Sequence, residues 1–199
     1  QRAGFEAYQR QQALASGKPV WVVDPLDGTA NFVHRLIGFS VSIALIENNR
    51  PRVAVVYDPM VDVMYAADQT GQVTKNGKPI RVSGCTKIDR AMVCCSFRPG
   101  VSRQDPEIEY FLNLLERSQS LRRLGSAALH LCYVAEGCLD AYWATSVKTW
   151  DIAAGYLIAK NAGAIFSNTR GGEFDLWNPN LVASSSRALQ AAVLECVKH

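Results

Sequence analysis

The chain has 199 residues, 48% hydrophobic and 20% charged, which suits a folded globular protein with one sizeable core or two closely packed lobes. Its formal charge of +3 is small and evenly spread, with Arg122-Arg123 the only adjacent basic pair, so no basic stripe points to nucleic acid. No apolar run approaches the roughly 18 residues of a membrane span, and Gln1 to Gln12 lacks the apolar stretch of a secretory leader.

Phe5 to Leu14 has helical periodicity and ends at the breaker Ser16-Gly17-Lys18-Pro19. Val20 to Val23 is a short apolar run, expected as a buried strand, and the polar turn Asp24-Pro25-Leu26-Asp27-Gly28-Thr29 follows it. From Phe39 to about Tyr65 consecutive strands are expected, with Val53 to Tyr57 and Val61 to Ala66 among them. Glu47-Asn48-Asn49-Arg50 and Asp58-Pro59 supply the turns, and Asn76-Gly77 a hairpin between Gln72 to Lys75 and Lys78 to Val82. The chain then changes character. Strands are expected at Ala91 to Cys95, Leu121 to Leu124, Leu139 to Trp143, Ala164 to Phe166 and Leu181 to Ala183. Helices are expected at Asp105 to Gln119, Ser126 to Glu136, Asp151 to Asn161 and Ser186 to Val197. In the first of these Ile108, Phe111, Leu112 and Leu115 form the apolar face. The expected fold class is therefore α/β (α+β), with an antiparallel lobe over residues 1–90 and a layered α/β lobe over 91–199.

Six cysteines, at 85, 94, 95, 132, 138 and 196, form no CxxC pair or framework spacing. Buried, reduced thiols are the expectation, and with them a cytoplasmic compartment. His34, His130 and His199 form no recognisable cluster.

Three short segments carry the chemistry. In DPLDGTANF, Asp24 and Asp27 stand where two carboxylates can converge on a hard divalent cation. Pro25 stiffens the backbone, and Gly28 and Thr29 offer successive N–H groups to phosphate oxygens. Either Asp dipeptide alone would read as an ordinary turn. In Trp150-Asp151-Ile152-Ala153-Ala154-Gly155, Asp151 is either a simple helix cap or a third carboxylate presented at a helix start. The small residues after it allow close packing. In Gly125-Ser126-Ala127-Ala128, free N–H groups at a strand-to-helix junction suit an anion or a sugar hydroxyl, and a plain Ser126 cap is the other reading.

DPLDGTANFVH, then GSAA, then WDIAAG, in this order and spacing, resembles the inositol monophosphatase family of magnesium-dependent, lithium-sensitive sugar phosphatases. The resemblance runs over essentially the whole chain. It implies a layered α-β-α-β-α sandwich, a homodimer, Mg²⁺ as cofactor and a small phosphorylated substrate, with neither nucleic acid nor membrane as partner. It makes Asp24 a bridging metal ligand and assigns the Leu26 carbonyl, Asp27 and Asp151 to metal as well. Gly28 and Thr29 would hold phosphate, Thr29 would orient the attacking water, and Asp24, Thr29 and Asp151 would form the catalytic set. Asp27, Gly125, Ser126, Ala127 and Asp151 would face the substrate.

The implied reaction is hydrolysis of a small polar phosphate ester, inositol monophosphate or a related sugar or polyol phosphate, by direct attack of a metal-activated water. Two departures qualify it. The family carries helices and a hairpin ahead of the first motif, with a further metal-binding Glu; here Glu6 is the only acidic residue before Asp24, and the role is not assigned to it. The sandwich is thus expected without its N-terminal helices. Where animal inositol monophosphatases place an inositol-contacting Glu, seven residues before Asp151, this chain has Ala144. Histidinol phosphate, fructose 1,6-bisphosphate and a 3′-phosphonucleotide therefore stand as alternative substrates. A non-catalytic module binding metal, phosphate ligand or protein stands as the alternative function.

Overall fold

A computed structural model describes residues 18–197. The expected helix at Phe5 to Leu14, and Glu6 within it, lie outside the described residues. Six strands form an antiparallel meander in simple chain order: β1 (Val20–Asp27), β2 (Ser40–Glu47), β3 (Arg50–Asp58), β4 (Val63–Asp68), β5 (Val73–Lys75) and β6 (Lys78–Pro79). Alternating burial along β2 shows why: Ser42, Ala44 and Ile46 face inward while Val41, Ile43 and Leu45 face out.

The turns behave as their residues require. Asn48 and Asn49 have φ of 51° and 61°, and Asn76 and Gly77 of 46° and 76°, the left-handed pairs that match hairpin twist. β3 begins at Arg50 rather than at the expected Val53, because Pro51 pairs with Ile46 across a register shift. β6 is shorter than expected. Pro79 has no N–H to continue the ladder.

A second sheet is mixed, in the order β10 (Ile165–Ser167), β11 (Leu181–Ser184), β9 (Ala141–Ala144), β7 (Met92–Ser96), β8 (Ser120–Arg122). Its central strand β9 is parallel to β7 and antiparallel to β11. All four β9 residues are buried, Tyr142 and Ala144 on one face, Ala141 and Trp143 on the other. Such a strand reads as a continuous apolar run because both of its faces are covered.

Helices α3 (Ala127–Ala135) and α4 (Thr149–Asn161) lie between the sheets, and α2 (Pro106–Arg117) and α5 (Arg187–Val197) cover the far face of the second. The described residues thus build four layers, β-α-β-α, of the expected sandwich. One core runs from Ala54 and Val56 of the first sheet through Leu131 and Ile158 to Tyr142 and Leu181 of the second. A second core joins Trp143 and Val182 to Leu114, Leu189 and Val193. Helix α1 (Thr29–Val33) is a single short turn after β1 that periodicity alone did not predict.

Helix α2 turns a different face inward from the one expected. Tyr110 and Leu114 are its buried residues, Ile108 and Phe111 are half-buried, and Leu112 and Leu115 are about half exposed. Aromatic packing decides this: Tyr110 meets the Trp143 ring edge-to-face at 5.8 Å, and Trp143 in turn stacks on Phe97 at 5.7 Å. Among the described residues no helix is long and apolar enough to cross a membrane. The six cysteines are free thiols, four of them buried, while Cys85 is half-buried and Cys138 exposed.

Candidate active site

Residues 24 and 27 of a regular strand point to opposite faces of the sheet, since side chains alternate with period two. The expected polar turn is in fact the continuation of β1, and a bulge within it solves this problem. Asp24 pairs with Ser42 and Asp27 with Ser40, so three residues on β1 span two on β2. The extra residue returns both carboxylates to one side. Asp24 Oδ1 accepts a hydrogen bond from the Leu26 N–H at 3.0 Å, which fixes the bulge locally. The Leu26 carbonyl accepts from Thr29 Oγ1 at 2.9 Å.

Gly28 follows with φ of 85°, and a Cβ there would stand 2.8 Å from the Gly38 carbonyl oxygen. Neither a side chain's conformational preference nor the space beside it would accept another residue. Gly28 is the N-cap of α1 and Thr29 its first residue, where backbone N–H groups have no acceptor within the helix.

Asp151 reaches the same place from the other side of the chain. It is the third residue of α4 rather than the cap; Lys148 is the N-cap, and its N–H donates to Asp151 Oδ2 at 2.7 Å. The helix starts at Thr149, and the carboxylate reaches back to cap its own first turn. The capping and the ligand readings of Asp151 are therefore both satisfied by one side chain. A tight helix contact holds α4 in place: a Cβ on Gly155 would come 2.8 Å from Leu131 Cβ on α3.

The outcome is one acidic cluster. Carboxylate oxygens of Asp24, Asp27 and Asp151 lie within 4.8 Å of one another. Asp27 is buried, and its Oδ2 accepts from Ser126 Oγ at 2.5 Å and from the Ala128 N–H at 2.8 Å. Ser126 caps α3 as well, accepting from the Leu129 N–H at 3.2 Å. Burial pushes the Asp27 carboxyl up to about 6 against these hydrogen bonds, with Asp24 adding repulsion. Burial, and then the neighbouring Asp27 and Asp24, raise Asp151 as well. Three oxygens of like charge, converging and partly desolvated, suit a hard divalent cation, which offsets the repulsion they otherwise suffer.

A cavity of about 370 Å³ opens beside the cluster, and Asp27, Asp151, Gly125 and Ala127 are among the residues that line it. Of the residues the sequence singled out, these four line the cavity, Asp24 joins the carboxylate cluster and Ser126 bonds Asp27. Leu26, Gly28 and Thr29 lie on the same stretch of chain as Asp24 and Asp27. Other residues of the site were not singled out. Asn31, quoted in the first motif without a role, donates from Nδ2 to the Gly38 carbonyl at 2.8 Å and the Leu124 carbonyl at 2.7 Å. It ties the two motif loops together, and Gly125, at φ 96°, leaves room for it: a Cβ there would sit 2.7 Å from Asn31 Nδ2. Cys95, Ser96, Phe97, Arg123 and Ser146 also line the cavity; they come from β7 and loops with no motif of their own. Ala144 is fully buried in β9 and is not among the residues lining the cavity. His34 lies exposed at the end of α1, and His130 is buried in α3.

The fold and site together define a two-sheet sandwich with a cluster of three carboxylates able to hold a metal ion beside a small polar cavity. Residues 3–199 match the model of the inositol monophosphatase family. The inositol-1-monophosphatase of Mesorhizobium japonicum is 38% identical over 201 residues, covering 99% of this chain and 75% of that protein. The Nus factor SuhB of Vibrio cholerae is 39% identical over 175 residues, 86% of this chain; the match spans 64% of that protein. Staphylococcal SaIMPase-II, solved with inositol monophosphate bound, superposes with a TM-score of 0.82 at 30% identity, covering 92% of this chain and 71% of that one. The chain belongs to the inositol monophosphatase family, a family of phosphoric monoester hydrolases.

Proposed function

We propose that this chain carries the site of a Mg²⁺-dependent phosphomonoesterase acting on a small polar phosphate ester, inositol monophosphate or a related sugar or polyol phosphate. The observation that carries the reading is the convergence of Asp24, Asp27 and Asp151 within 4.8 Å. These carboxylates, with the Leu26 carbonyl, would hold the metal. A bound divalent ion supplies Lewis acidity, easing ionisation of water and neutralising charge on the transferring phosphoryl group. The chain's own residues position the rest. Gly28 and Thr29 direct N–H groups to phosphate oxygens, and Thr29 Oγ1, anchored on the Leu26 carbonyl, orients the water. Gly125 and Ala127, which line the cavity, and Ser126 between them would face the alcohol portion. Little covalent chemistry is asked of the protein; positioning and electrostatics suffice.

Homodimer assembly, lithium sensitivity and a cytoplasmic location belong to the same proposal. Its test is phosphate release from inositol 1-phosphate, histidinol phosphate, fructose 1,6-bisphosphate and a 3′-phosphonucleotide, with and without Mg²⁺. Release that depends on Mg²⁺ and disappears in Asp24→Asn supports the reading, whereas metal-independent release or an unaffected variant rejects it.

A second reading is a module that binds metal, phosphate ligand or a protein partner without turnover. The similarity to proteins named as Nus factors favours it. Calorimetric titration discriminates: saturable Mg²⁺-dependent phosphate binding with no hydrolysis supports this reading, and steady turnover removes it.

A further inference from the structure

The cavity lining carries charges of both signs: Asp27 and Asp151 are its carboxylates, and Arg123 is the cation among the lining residues. Arg123 is held in place. Its guanidinium carbon sits 3.9 Å above the centroid of the Phe97 ring, and Nη2 donates to the Phe97 carbonyl at 3.0 Å. Cation–π stacking and one backbone hydrogen bond reduce the rotamer freedom such a side chain would lose on binding a ligand. No carboxylate among the described residues forms an ion pair with it.

A hydroxyl residue, Ser96, also lines the cavity. Its Oγ lies 3.5 Å from Nδ1 of His130. A fixed guanidinium and a positioned hydroxyl form the complement of a phosphate, since an arginine fork matches phosphate oxygens in both charge and shape.

We propose that Arg123, fixed on Phe97 and assisted by Ser96, selects substrates whose alcohol portion carries a second phosphate. The scissile phosphate lies at the carboxylate cluster, and the second phosphate, held by Arg123, is the recognition handle. This inference rests on the phosphatase reading for the location of the site and narrows its substrate class.

The test compares matched pairs that differ only in the second phosphate: fructose 1,6-bisphosphate against fructose 1-phosphate, and adenosine 3′,5′-bisphosphate against adenosine 3′-phosphate. The full chain is assayed with Mg²⁺ beside Arg123→Gln, Arg123→Lys and Arg122→Gln. Arg122 bonds Ser120 and the Leu121 carbonyl and does not line the cavity, so it controls for loss of surface charge.

The expected result is a preference of about tenfold or more in kcat/KM for the doubly phosphorylated member of one pair, whichever scaffold that is. Arg123→Gln should reduce this ratio about tenfold, chiefly through KM, with Arg123→Lys intermediate and Arg122→Gln unchanged. A ratio near one in both pairs, or a ratio that survives Arg123→Gln in a protein of unaltered melting temperature, overturns the proposal. If nothing is hydrolysed, the phosphatase reading has failed separately. Calorimetric affinities for the same pairs then give the same ratio, with the same two outcomes.

Discussion

Asp24, Asp27 and Asp151 hold their positions through backbone N–H groups and a serine, so each can be changed with the frame left standing. Asp24→Asn keeps the size and the acceptor toward Leu26 but removes a charge from the cluster. Mg²⁺-dependent phosphate release should fall by about two orders of magnitude or more, read from initial rates. Ser126→Ala removes both the cap of α3 and a hydrogen bond to ionised Asp27. Thermal or urea unfolding should register a loss of about 1 kcal/mol. Because that bond lowers the Asp27 carboxyl, its loss should also shift the acid limb of the metal-binding profile to higher pH. Of these residues the three aspartates were legible in the sequence, as parts of recurring motifs. Asn31's role was not, since its partners at 38 and 124 are set by the fold.

Among the elements, the contact between α3 and α4 sets where Asp151 stands relative to Asp27. Gly155→Ala places a Cβ 2.8 Å from Leu131 and 3.3 Å from the Ala128 carbonyl. The helices must separate slightly, with a cost of about 1–3 kcal/mol measured by denaturant unfolding and a weakened Mg²⁺ response, although no ligand has changed. The run of small residues after Asp151 signalled this closeness in advance. The β1 bulge gave no such signal. A strand and a turn have the same local residues here, and only pairing with β2 shows that the chain remains in the sheet through Asp27. The inward face of α2 was misread for a related reason: leucine spacing favoured residues 112 and 115, but aromatic rings on the neighbouring sheet favoured Tyr110.

For the whole molecule, the cluster makes stability depend on pH and on metal. Asp27 and Asp151 are raised in the folded protein, so from about pH 4 up to about 6 for Asp27 and about 7 for Asp151 the native state keeps protons the unfolded chain has released. Their contribution to stability therefore falls as pH rises through that window. For Asp27 this amounts to about 3 kcal/mol. His130 works the opposite way. Burial holds it down to about 3, so its contribution is lost as pH falls below about 6.5 toward that value. The shift on adding Mg²⁺ separates the two effects, because the cation acts on the carboxylates. The increase in melting temperature with Mg²⁺ should be small at pH 5 and large at pH 7.5, read by differential scanning fluorimetry, and should be much reduced in Asp27→Asn. An equal shift at both pH values would contradict the raised carboxyls.

The sequence by itself determined the strand-and-helix order, the Asn-containing hairpin turns and the acidic motifs that place the chain in its family, because these depend on local backbone preference and on residues near one another along the chain. Tertiary structure decided what depends on distance in space. It brought Asp151 to Asp24 and Asp27, tied Asn31 across two loops, buried Ala144 and set Arg123 over Phe97 in the lining of the cavity. Such contacts join residues tens of positions apart, and their energies come from packing and desolvation that appear only once the layers close.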